Sequence, residues 1–178
     1  MQNNIIILLG EICKNLENQS IDYMISGSMA LNIYATPRMT RDIDFVIHLQ
    51  LFQVDGFMEI FKNDFYCHEM SIREEISRRG MFNLIHHKTG YKVDFIVRKN
   101  TPFRQNEFTR RQRTQIFGFD AWVVSIEDLI ISKLEWIQTL YSTKQAEDIE
   151  NLLENPTIDR AYLLYWCKEL QLNTYDLL

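Results

Sequence analysis

Ile5, Leu8, Ile12 and Leu16 recur at helical spacing, so residues 4–18 read as an amphipathic helix that stops at the polar run Asn18-Gln19-Ser20. Tyr23-Met24-Ile25 is a short apolar strand, after which Gly27-Ser28 turns the chain and Met29 to Tyr34 is helical until Thr36-Pro37 stops it. The segment Asp42 to Ile47 alternates acidic and apolar positions and predicts a strand entering a core from a polar end. A helix is expected over about 55–63 and a short one over 71–79. Strands over 81–87 and 91–97, joined across Lys88-Thr89-Gly90, form a hairpin candidate. Ala121 to Val124 is the last strand pattern.

Beyond that strand every pattern is helical. Ser125 with Asp128 resembles a capping box, and Leu129, Ile130, Leu134 and Ile137 keep an apolar stripe. Thr143 is placed to cap a second helix through Leu153, and Thr157 a third ending near Leu170. The chain therefore predicts an α/β (α+β) fold, with a mixed sheet-and-helix core over 1–124 and a helical region over 125–178 packed on it.

Composition narrows the class. With 178 residues, 46% of them apolar and 24% charged, and only 6 Gly and 3 Pro, collagenous, low-complexity and disordered readings are excluded. The longest aliphatic run, Ile5 to Leu9, is far short of the roughly 18 residues that span a bilayer, and no leader pattern precedes it, so a cytoplasmic location is expected. Cys13, Cys67 and Cys167 lie in no metal-ligand spacing and read as free thiols. A formal charge of −5 argues against a DNA-coating protein. Local charge is uneven: Arg98, Lys99, Arg104, Arg110, Arg111 and Arg113 face only Glu107 within their stretch, while the chain from Asp120 onward is strongly acidic. The basic stretch reads as a solvated face or a contact for phosphates.

The candidate chemistry lies on the strands. Asp42 and Asp44 are two apart on one strand, so their side chains leave the same face about 7 Å apart. Two carboxylates so placed repel, and the arrangement becomes favourable when divalent cations sit between them. Asp94 interrupts the apolar strand Lys92 to Val97 and would be costly to bury without a partner. Any one of these acids could simply end a strand, but three that converge at one sheet end offer oxygen ligands for Mg²⁺ or Mn²⁺. Gly27-Ser28, between a strand and a helix, presents backbone N–H groups and a helix N-terminus to an anion such as phosphate. Arg38 and Arg41 flank the Asp42 strand and could orient phosphates or pair with acids.

The stretch Tyr23-Met24-Ile25-Ser26-Gly27-Ser28-Met29-Ala30-Leu31, followed by Pro37-Arg38-Met39-Thr40-Arg41-Asp42-Ile43-Asp44-Phe45-Val46-Ile47, resembles the signature of the nucleotidyltransferase (polymerase-beta-like) superfamily. Within it the chain is similar to small bacterial nucleotidyltransferases, including those of toxin-antitoxin and abortive-infection systems. Ser125 to Leu134 and Gln145 to Ile149 resemble their C-terminal helical motif, with Gln145 where those relatives carry an acid. The resemblance implies a metal-dependent transfer of an NMP from an NTP to an acceptor hydroxyl, with pyrophosphate released. It implies that Gly27, Ser28, Arg41 and Lys133 bind the nucleotide, that Asp42, Asp44 and Asp94 are catalytic and hold Mg²⁺ or Mn²⁺, and that Arg38 and Asp148 are accessory. Either Asp94 or Asp148 could be the third essential acid. The acceptor could be a small molecule, a protein or an RNA 3′ end, and a toxin or antitoxin partner would fit. A nonenzymatic nucleotide-binding or interaction protein is the alternative, because fold and site residues do not prove turnover.

Overall fold

The computed structural model describes residues 2–178, with side chains from Asn4 onward. Its centre is a seven-stranded sheet in the order β3-β4-β5-β2-β1-β7-β6. The strands are β1 (Asp22–Ser26), β2 (Asp42–His48), β3 (Phe65–Tyr66), β4 (Met81–His86), β5 (Lys92–Val97), β6 (Gln112–Ile116) and β7 (Phe119–Val123). β2 runs parallel to β5 and β1 parallel to β7, while the other neighbours are antiparallel. Helices α1 (Gln2–Asn18), α2 (Gly27–Tyr34), α3 (Val54–Phe61), α4 (Glu69–Arg78) and α5 (Pro102–Thr109) are threaded between the strands, and α6 (Ile126–Thr139), α7 (Thr143–Leu153) and α8 (Arg160–Glu169) follow the last one. Among the described residues no helix is long and apolar enough to cross a membrane.

Burial explains why these segments fold as they do. In α1, Ile5, Leu8, Leu9, Ile12 and Leu16 are buried as one stripe, and the helix packs on β1 and β7. In β2, Ile43, Phe45, Val46 and Ile47 are all buried, as expected of a central strand covered on both faces. Phe95 of β5 stacks on Phe45 at 5.5 Å and on Phe82 at 5.4 Å, and meets Phe57 of α3 edge-on at 5.3 Å. These rings join α3 to the sheet. α2 lies against β1 and β2 and also touches α6 and α7, linking the sheet to the last helices.

Several local expectations shift. α5, β3 and β6 carry no clear sequence pattern: α5 has eight residues, β3 two, and β6 is an edge strand burying only Ile116. β6 and β7 instead form a hairpin whose turn, Phe117-Gly118, has φ of +49° and +94°, the left-handed geometry of tight hairpin turns. Ser125 caps α6 as expected, accepting from the Asp128 N–H. Thr143 is not a cap; Ser142 holds that position without a side-chain bond. The third cap is Asp159, two residues after Thr157, and its carboxylate accepts from the Tyr162 N–H. Trp136 is exposed and fills no core. All three cysteines are free, with Cys13 and Cys167 buried.

The basic stretch is in part a solvated face, with Lys99 and Arg113 exposed, and four of its six cations pair with carboxylates of the same chain. Arg104 pairs with Glu107 and Glu135, Arg110 with Glu127 and Asp128, Arg111 with Asp22, and Arg113 with Glu17. Its charge is largely spent inside the fold.

Phe95→Ala should cost about 3–5 kcal/mol in urea denaturation, because a large buried ring is lost and its neighbours cannot all close the gap. Phe52→Ala, on a side chain 81% exposed, should change stability by less than about 0.5 kcal/mol.

Candidate active site

β1 ends at Ser26 and the chain enters α2 at Gly27, whose φ is +56°. Glycine is required there on two counts. An L residue rarely adopts that backbone angle, and a Cβ would overlap the carboxylate of Asp44. The Ser28 N–H pulls the Asp44 carboxyl down against the effect of burial, so a donor of the α2 N-terminus faces an anion, as the helix dipole favours.

Strand register assembles the acids. β1 pairs Ser26 with Asp44, and the parallel pairing of β2 with β5 sets Asp44 beside Asp94 and Asp42 beside Lys92. Side chains at paired positions of adjacent strands share one face, so Asp42, Asp44 and Asp94 stand as a group on the same side of the sheet. Burial pushes the Asp44 carboxyl up, and the charges of Asp94 and Asp42 push the same way. The Lys92 Nζ lies 2.7 Å from Asp94 Oδ2, while Asp94 Oδ1 is buried without a hydrogen-bond partner. A buried carboxylate oxygen left unpaired beside a second, reluctantly ionised carboxylate is the kind of ligand a hard divalent cation takes. The acids are set out along two strands; among the described residues no three such side chains gather about one point.

The accessory residues form a second cluster on the helical side. Arg38 donates from Nε and Nη2 to the two Asp148 oxygens, each at 2.8 Å, and from Nη2 to Ser28 Oγ at 2.8 Å. Its backbone is clamped by Asn32, which donates to the Arg38 carbonyl and accepts from its N–H, both at 2.9 Å. Lys133 is 6% exposed, and its Nζ donates to Asp148 Oδ2 at 2.7 Å and to Gln145 Oε1 at 2.8 Å. Lys133 is thus a buried ion-pair partner, not a surface lysine, and Asp148 is not a solvated helix residue. Burial holds the Lys133 ammonium below its usual pKa, against the pull of Asp148. Burial also opposes ionisation of Asp148, but the hydrogen bonds from Arg38 and Lys133 outweigh it and hold its carboxyl below the ordinary value.

Arg41 stands apart. It is exposed, makes no ion pair among the described residues, and lines a cleft of about 560 Å³ together with Arg38, Thr40 and Tyr91. The structure therefore brings Gly27, Ser28, Asp42, Asp44 and Asp94 to one sheet end, joins Arg38, Lys133 and Asp148 in a cluster beside them, and leaves Arg41 exposed and outside that cluster. Lys92, Asn32 and Gln145 take part without having been singled out as site residues. Lys92 was readable in principle, lying two residues from Asp94 on the same strand face.

No family model and no curated protein matches the chain. Solved structures do. A crystal structure of ANT(2'')-Ia in complex with adenylyl-2''-tobramycin superposes with a TM-score of 0.63 at 11% identity, covering 94% of this chain and 97% of that one. The lincosamide antibiotic adenylyltransferase LnuA, lincomycin-bound, gives a TM-score of 0.53 at 15% identity over 79% of this chain and 91% of its own. An antigenic nucleotidyltransferase-like protein from Paracoccidioides brasiliensis gives 0.56 at 18% identity over 93% and 86%. The chain has the fold of the nucleotidyltransferases.

Asp148→Asn should destabilise the protein by about 3–5 kcal/mol at neutral pH, because Arg38 and the buried Lys133 lose their shared counter-charge. A depressed carboxyl contributes stability above its unfolded pKa and loses it as pH falls through the folded one. The gap between wild type and variant in urea denaturation should therefore be level from about pH 5 upward and shrink as acid protonates Asp148. A gap that stays constant down to acid unfolding would show that Asp148 acts through packing and not charge.

Proposed function

We propose that the chain is a metal-dependent nucleotidyltransferase that moves an NMP from an NTP to a hydroxyl of a small molecule. The observation that carries this reading is the register that sets Asp44 beside Asp94, with Gly27 and Ser28 against the Asp44 carboxylate. Asp42, Asp44 and Asp94 would hold Mg²⁺ or Mn²⁺, which supplies stabilisation of charge on the attacking and leaving oxygens of an in-line displacement.

The chain's own groups divide the remaining work. The Ser28 hydroxyl and N–H, with Arg38 beside them, meet the phosphates at the start of α2. Lys133 approaches from α6 and adds positive charge behind Asp148. Asp94, one of whose oxygens has no hydrogen-bond partner, would take the proton from the acceptor hydroxyl. The acceptor oxygen then bonds to the α-phosphorus, the bond from that phosphorus to the bridging oxygen breaks, and pyrophosphate leaves with the electron pair.

Two observations favour a small-molecule acceptor over a protein side chain, an RNA 3′ end or a toxin-antitoxin setting. Two of the fold neighbours are described as antibiotic adenylyltransferase or as bound to an adenylylated antibiotic, and they superpose over most of this chain. Four of the six cations in the basic stretch that could have tracked an RNA backbone are paired with carboxylates of the same molecule.

Purified protein incubated with Mg²⁺ or Mn²⁺, each NTP labelled at the α-phosphate, and a small-molecule extract should transfer label and release pyrophosphate. Transfer should fall by roughly 10²-fold or more in Asp42→Ala/Asp44→Ala, in line with the loss of a principal charge-stabilising element. Metal-dependent NTP binding without transfer in small-molecule, protein or RNA fractions would instead support a nonenzymatic nucleotide-binding protein. Absence of NTP binding altogether would remove Gly27, Ser28, Asp42 and Asp44 as a nucleotide site.

A further inference from the structure

Two cations of the basic stretch, Arg98 and Lys99, have no carboxylate partner among the described residues, and Arg98 belongs to a cluster at the sheet end remote from the acids. Backbone pairing assembles it. Asp22 at the start of β1 pairs in register with His48 at the end of β2, and just past β5 the Arg98 N–H donates to the Ile47 carbonyl at 2.8 Å. Asp44 and His48 are four residues apart, about 13 Å along a strand, so this end is separate from Asp42, Asp44 and Asp94. Arg79, the C-cap of α4, donates from Nη1 to the Arg98 carbonyl at 2.9 Å. Arg111, which precedes β6, completes the group: its guanidinium carbon lies 4.3 Å from the centre of the Phe108 ring, and that of Arg98 lies 5.6 Å from the same centre.

Three guanidiniums here share one carboxylate. Arg111 donates from Nη2 to Asp22 Oδ1 at 3.1 Å, and Asp22 is itself largely in solvent, with 60% of its side chain exposed. Arg98 and Arg79 have no ion pair among the described residues, and Nε of both Arg98 and Arg111 is buried without a hydrogen-bond partner. Burial and the charges of Arg79 and Arg111 hold the Arg98 guanidinium below its ordinary value, with Asp22 opposing them. Burial and the same three arginines push His48 down as well, Asp22 again opposing. Like charges gathered this way, with donors left unsatisfied, become favourable when an anion joins them. Phe108, and Trp122 at 4.8 Å from Arg111, hold the planar groups in fixed orientation, while Arg79, Arg98 and His48 are only half-buried, so the cluster meets solvent.

We infer that this end of the sheet binds a phosphate dianion, free or as the terminal group of a small phosphate monoester, held by hydrogen bonds from Arg98 and Arg79 and by the charge of Arg111. Guanidinium groups present parallel N–H donors that match two phosphate oxygens at once, and such charge-assisted bonds are stronger than neutral ones. The site uses neither the three acids nor Arg38, and it stands whether or not the chain transfers nucleotides.

The test is a titration of the full chain, labelled with ¹⁵N and free of divalent metal, with inorganic phosphate at constant ionic strength, followed by NMR of the arginine Nε–H groups. The Arg98 and Arg79 signals should shift to saturation, while Arg104, paired with Glu107 and Glu135, stays fixed. Arg98→Gln should weaken binding by about tenfold or more, and so should Arg79→Asn, which keeps a residue tolerant of the left-handed backbone at φ of +54°. Backbone amide signals away from the cluster should not move in either variant. Asp22→Asn, which removes the competing carboxylate, should tighten binding, a gain that misfolding cannot imitate. Glycerol 3-phosphate binding as tightly as inorganic phosphate assigns the site to a monoester, and clearly weaker binding assigns it to the free ion. Shifts confined to Arg38 and Arg41, equal affinity in Arg98→Gln, weaker binding in Asp22→Asn, or no saturable shift would each overturn the assignment.

Discussion

Everything at the candidate site depends on the pairing of β2 with β5. That register stacks Phe45 on Phe95 in the core, and because neighbouring positions in a strand face opposite ways, it necessarily sets Asp44 beside Asp94 on the other face. A slip of one residue would turn the acids toward the aromatic core and the rings toward the face that the acids now occupy. The aromatic core therefore holds in place a carboxylate pair that would otherwise be driven apart. The repulsion shows in Asp44, whose carboxyl is pushed up by burial and then by the charges of Asp94 and Asp42. Hydrophobic packing sustains an unfavourable charge arrangement, which is the usual sign of a site kept for binding.

Electrostatics also explain how the last three helices are held. The acidic excess after Asp120 and the basic stretch before it look like separate surface features in the linear chain, yet Arg104 and Arg110 of the one pair with Glu135, Glu127 and Asp128 of the other. Asp128 is fully buried and accepts from Arg110 Nε at 3.1 Å, Ser125 Oγ at 2.7 Å and Tyr162 Oη at 2.6 Å, so a single carboxylate ties α5, α6 and α8 together. Glu107, also buried, accepts from Arg104 and from Ser132 of α6. Asp148 does the same for the site, drawing Arg38 of the 37–41 loop and Lys133 of α6 to one carboxylate of α7. Such buried pairs give little net stability compared with apolar packing, but breaking one partner leaves a charge exposed to the interior, so they fix orientation.

What could be read from the linear chain follows from how local each signal is. The strand of alternating acids, the glycine between strand and helix, and the stripes of α1 and α6 are written within a few residues and reappear where expected. Edge strand β6 was not legible because Gln112 to Gln115 stay outside the core and show no apolar alternation. The roles of Arg38 and Asp148 lay beyond reach for another reason: they are 110 residues apart, and only the packing of α7 against α2 brings them together. Asn32 fixes the Arg38 backbone through contacts that no periodicity announces. Arg41, three residues from Arg38, stands beside the same strand, yet only Arg38 is paired with a carboxylate among the described residues.

The α2 N-terminus carries the last step. Its Ser28 N–H, the group best suited to a phosphate, is engaged by the Asp44 carboxylate, and the Ser28 hydroxyl accepts from Arg38. In the proposed reaction a phosphate reaching this donor must displace Asp44, and Asp44 can give it up at low cost only if a cation takes over its charge. In that reaction nucleotide and cation would be coupled at the α2 N-terminus, each removing the penalty the other would face alone. This coupling follows from the overlap that forbids a Cβ at position 27, since the close approach of Gly27 to Asp44 is what places the carboxylate on the helix N-terminus in the first place.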